Sequence, residues 1–159
     1  MMSTSAQLAL HIRQVHFGGN WTASNMKDLL KDVSWQEATT QLYTLNTIAT
    51  LTYHINYYIS AVTEVLQGKA LNAKDEYSFS HPPVKSQQDW EELITKTLSD
   101  AEEFAKLIEQ IPDDKLAEDF TERKYGSYHR NLLGILEHTH YHLGQIALVK
   151  KILREKDAG

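Results

Sequence analysis

The chain contains no cysteine, only three prolines, and no apolar run longer than a few residues. Without cysteine there are no disulfides, no cysteine nucleophile and no thiolate ligands, so any soft-metal chemistry must rest on histidine and carboxylates. The short apolar stretches exclude a membrane-spanning helix, and the opening MMSTSAQLALHIR has neither a basic leader nor an apolar core of export length. A cytoplasmic location is the expectation. Basic residues are also not in excess, the net charge being −5. Their one cluster, Lys150, Lys151, Arg154 and Lys156, falls in the last turns of an expected helix, where cations complement the helix dipole. It reads as a helix end, and no nucleic-acid partner is expected.

What is present is ordinary globular material. With 42% hydrophobic and 23% charged residues over 159 positions, the chain can bury a core as one domain, residues 1–159. The prolines Pro82, Pro83 and Pro112 fall between segments of helical periodicity, which predicts an all-α fold of four long helices, a four-helix bundle. The first helix starts near Ser3 or Ser5 and runs through Leu8, Ile12 and Val15 to Gly18-Gly19, with a short helical turn expected around Met26 to Lys31. The second opens on the capping-box pair Ser34 and Glu37 and continues to Leu66 before Gly68. The third opens on Ser86 with Asp89 at N3 and buries Trp90, Ile94, Leu98, Ala101, Phe104, Ala105 and Ile108. The fourth runs from Tyr128 to Lys156. The loops leave the order of the helices open. Trp21, Trp35 and Trp90 read as core anchors, and Asp100, Glu102 and Glu103 as a solvated helix face.

The informative residues are histidines. In His138-Thr139-His140-Tyr141-His142, residues four apart differ by about 40° around a helix and residues two apart by about 200°. His138 and His142 therefore share a face that can grip one ion, and His140 points away. Thr139 stands where a zinc protease of the H-E-x-x-H type needs its general-base glutamate, which excludes that chemistry. A third ligand should come from a facing helix, and His54 lies midway along helix two in an aromatic and aliphatic run. Glu137 and His140 supply a single E-x-x-H, whereas a di-iron carboxylate site needs two and further glutamates. His11, His16, His81 and His129 have no spacing partner and read as surface or loop residues.

The segments LTYHINYY around His54 and LEHTHYHLGQI around His138 and His142, with GGNWTASNMKDLLKDVSWQEA before the second helix, resemble the DinB-like family. That resemblance implies a bundle of the DinB-like type with His54, His138 and His142 as ligands of one divalent ion, nickel or zinc. It further implies frequent homodimers and, in some relatives, metal-dependent transfer of a low-molecular-weight thiol to an electrophilic substrate.

Three neutral imidazoles leave an ion its full charge, and an open position can lower the pKa of water or of a thiol towards neutrality. Thiol transfer, with the thiol arriving as a small molecule, and hydrolysis both stay open. So does a non-catalytic, metal- or ligand-binding homodimeric module. Helical rotation puts Gln145 and Gly134 near the His138 face, and Thr47, Thr50 and Tyr58 near His54. Gln145 is a candidate to orient a ligand or a histidine ring, Tyr58 to donate a proton or hydrogen bond to substrate, and Gly134 to allow close helix approach.

Overall fold

Side chains at the helix starts decide where the chain folds. In the computed structural model, which describes residues 2–157, Ser3 accepts a hydrogen bond from the Ala6 amide and starts α1, Thr4–Phe17. Gly18, at φ +112°, stops it in a backbone conformation that L side chains rarely adopt. Asn25 caps the short α2, Met26–Leu30, and the expected turn is therefore present.

The capping box of Ser34 and Glu37 forms, but it caps only the five-residue α3, Trp35–Thr39. The chain leaves the helix at Thr40, takes a left-handed residue at Tyr43 (φ +50°), and begins again at Thr47, whose hydroxyl accepts from the Thr50 amide. The long second helix, α4, is Ile48–Leu66. A single helix from Ser34 to Leu66 is thus corrected to two. The side chain of Leu42 is buried in the core from within the break, so its apolar signal resembled a continuing helix. α5 spans Gln87–Glu109 behind Ser86, and α6 spans Tyr128–Asp157.

α1 packs on α5 and α6, and α4 packs on the same two. The four long helices therefore run α1, α5, α4, α6 around the bundle, with α1 and α4 on one diagonal. The short helices close its flanks, α2 against α1 and α6, α3 against α4 and α5. Ile12, Ile55, Phe104, Ile108 and Leu132 fill the centre, and Trp90 is fully buried with its indole N–H donating to the Val33 carbonyl at 2.8 Å. Trp35 is partly buried against the core. Trp21, in contrast, is fully exposed on the turn after α1, because the loop reaches the core through Met26 and Leu30 instead.

Charged groups fasten the periphery. Lys150 and Arg154 of α6 both reach Asp32, and Arg154 also reaches Glu37. Lys150 and Arg154 of the basic cluster thus clamp the α2–α3 segment as well as ending a helix. Arg13 of α1 pairs with Glu102 and Glu109 of α5, and Asp100 accepts from Asn56 at 2.8 Å, so the acidic run is only partly solvated. Among the described residues there is no strand, and no helix is long and apolar enough to cross a membrane.

Candidate metal centre

α4 and α6 are neighbours, and each turns its histidine face to the other. His54 and His142 are buried and His138 half-buried, and their ring nitrogens offer one ligand atom each within 4.8 Å of one another. The Nε2 atoms of His54 and His138 lie 3.0 Å apart. His142 meets His138 edge-on at 4.5 Å between centroids and His54 at 4.6 Å. The three residues singled out by spacing therefore come together.

Two of their tautomers are fixed from behind. Ser78 Oγ donates its one hydrogen to the Asp75 carbonyl at 2.7 Å, so at 2.9 Å from His54 Nδ1 it accepts that ring's proton. Gln145 Oε1 accepts from His142 Nδ1 at 2.7 Å. Both rings thus turn an unprotonated Nε2 towards the common centre, which is the arrangement that ligation requires. His138 Nδ1 is buried without a partner, and its ring is held instead by edge contacts to Tyr58 and His142. Burial lowers the His54 pKa, with the neighbouring His142 adding to it. His138 is pushed down to about 4 by burial, His142 and His54. Converging imidazole nitrogens with no carboxylate among them fit a divalent transition-metal ion.

The loop from 69 to 85 completes the site, and the sequence marked it only weakly. It brings Ser78 behind His54, stacks Phe79 on the His54 ring at 4.1 Å, and sets Asp75 Oδ1 2.6 Å from the Tyr58 hydroxyl. Tyr57 ties this loop down through both the amide and the carbonyl of Lys74. The only available signal was weak: polar Asp75 and Ser78 in a long connection, 21 and 24 positions from His54.

The remaining candidates are distributed around this centre. Tyr58 lies edge-on to His54 and His138, but its proton is committed to Asp75, and burial followed by that bond pushes its pKa up to about 12. Gln145 orients a histidine ring, one of its two expected roles. Gly134 does not serve helix approach, since a Cβ there would meet nothing within 4 Å; it leaves room in a cavity. Thr47 and Thr50 bond to each other, and Thr50 to His81. His140 turns away, as its rotation predicted, and lies within the field of His11. His16 is not a surface residue: it is fully buried, bonded at Nδ1 to the Ile12 carbonyl, and burial pushes its pKa down to about 4. His129 lines the far end of the cavity.

That cavity, of 990 Å³, runs from the triad along the α4–α6 groove, past Val62, Leu71 and Leu133 to Arg130. The family model of the DinB superfamily matches residues 20–146, a span that holds the triad, Ser78 and Gln145. The chain belongs to the DinB superfamily. No curated protein and no solved structure matches it. Within this superfamily, the bundle and its three-histidine group are the features that this chain shares most plainly with the expectation drawn from its motifs.

Proposed function

We propose that this DinB superfamily protein is a metal-dependent enzyme, a thiol S-transferase or a hydrolase, whose single divalent ion, nickel or zinc, is held by His54, His138 and His142. The observation that carries the reading is the convergence of three imidazoles at one end of a 990 Å³ cavity, with no carboxylate in the set. An ion bound there supplies undiminished positive charge, which makes a coordinated thiol or water more acidic near neutral pH.

The chain's own residues prepare that chemistry. Ser78 and Gln145 hold two imidazoles in the ligating tautomer, and Phe79 covers His54 from the loop side. Tyr58 keeps its proton at neutral pH and screens the triad with its ring, the hydroxyl being held on Asp75. Val62, Leu71, Leu133 and Ile135 give the groove an apolar wall that excludes water from a bound organic substrate. Since the chain has no cysteine, a transferred thiol arrives as a small molecule.

One observation favours a second reading, a non-catalytic homodimeric module. Tyr141 and Leu148, two helical turns apart on α6, are exposed at 66% and 56%, and exposed large apolar side chains on one face suit a second copy. The two readings separate in one assay. Protein loaded with zinc or nickel is offered a low-molecular-weight thiol with monochlorobimane, and separately a panel of activated esters and amides. Turnover that His54→Ala abolishes supports the enzyme. Saturable ligand binding with no turnover in either assay overturns it in favour of the module.

A further inference from the structure

The cavity is not uniform in charge. At the triad end stand the carboxylates, Asp75 on Tyr58 and Glu137 beside His138. At the other end stand Arg130 and His129, about two turns earlier on α6, which is roughly 12 Å from His138 along the helix axis. Among the described residues Arg130 takes part in no ion pair, whereas Arg13 and Arg154 are each held by two carboxylates. Its stem crosses Gly126, where a Cβ would come within 2.7 Å of Arg130 Cδ. Gly126, at φ +75°, thereby leaves room for the Arg130 side chain to lie across it at the cavity's edge. Asn131 cannot compete for a ligand with its amide hydrogens, which are spent on the carbonyls of Tyr125 and Ser127.

We propose that Arg130, with His129 beside it, is a carboxylate subsite, so that the substrate class is an elongated amphipathic acid. Its reacting end lies at the triad, its apolar body lies along Val62, Leu71 and Leu133, and its terminal carboxylate takes the guanidinium fork of Arg130. A single unpaired guanidinium suits one planar carboxylate, which it can bind through two parallel hydrogen bonds. The substrate class rests on the enzymatic reading above, but the subsite itself does not need the metal.

The test is calorimetric titration of metal-free protein with octanoate and with 1-octanol, in wild type, Arg130→Gln and Lys151→Gln, with metal uptake measured on the same three proteins and on His54→Ala. The expected result is octanoate binding that weakens about tenfold or more in Arg130→Gln and stays within twofold in Lys151→Gln, while 1-octanol is indifferent to both. Octanoate that fails to bind wild type, or that binds Arg130→Gln as well as wild type, overturns the subsite. Metal uptake reports separately: loss in His54→Ala with retention in Arg130→Gln upholds the metal centre whatever octanoate does, and retention of metal in His54→Ala sinks the centre while leaving the subsite to its own result.

Discussion

Ser78 is the residue whose removal tests most sharply how the histidines are prepared. Its side chain is fully buried between the Asp75 carbonyl and His54 Nδ1, so Ser78→Ala leaves a ring N–H without its acceptor where water does not reach. An unsatisfied buried donor costs about 1–3 kcal/mol. The penalty falls on the Nδ1–H tautomer, the one that presents Nε2 to an ion, so it appears in the metal-binding equilibrium. Outer partners of ligating histidines typically change affinity by about 10–100-fold, which matches that energy range. Competition for zinc against a chromophoric chelator measures the shift, with Ser80→Ala, two positions on and exposed, as the control. The expectation is zinc affinity at least about tenfold weaker in Ser78→Ala and unchanged in Ser80→Ala. Equal affinities for Ser78→Ala and wild type would refute the claim that the loop sets the tautomer.

Gln145→Ala removes the matching acceptor from His142, which is less enclosed, and is expected to cost about tenfold in zinc affinity in the same competition assay. His16 gives a pH dependence independent of the triad. Its folded pKa, about 4, lies below the unfolded value near 6.5, so the stability it contributes is complete above pH 6.5 and is lost as pH falls through 4. The difference amounts to about 3 kcal/mol. Urea unfolding of metal-free wild type and His16→Leu across pH 7 to 4 should show the mutant with the shallower acid loss; parallel profiles would contradict the burial of a neutral imidazole. Trp90→Ala deletes a fully buried indole and its bond to Val33 and is expected to cost about 3–5 kcal/mol by the same unfolding measurement, whereas Trp21→Ala, on an exposed side chain, should cost under about 0.5 kcal/mol.

What could be read from the residues was what depends on local spacing. Ser3 and Ser86 mark helix starts because a cap is a contact over three residues, and His138 and His142 share a face because helical rotation leaves no other choice. His54 was legible as the one histidine in an apolar stretch of the facing helix. The break at Thr40 was not, since Ser34 and Glu37 satisfy the start of a helix without stating its length, and Leu42 continues to bury through the turn. The burial of His16 and the exposure of Trp21 were misread for one reason. Residue type gives an average burial, while the packing of α1 against α5 and α6 decides each position. Ser78, Asp75 and Phe79 reach the site through a loop whose path is set by tertiary contacts such as Tyr57 to Lys74, and no periodicity encodes that.

Three histidines from two helices are proposed to hold one ion. Elemental mass spectrometry on untagged protein reconstituted with zinc or nickel, wild type beside His54→Ala, His138→Ala, His142→Ala and His140→Ala, tests it most directly. The account predicts one equivalent of metal in wild type and in His140→Ala and almost none in the other three; wild type that stays empty, or an equivalent that survives loss of His54, would contradict it.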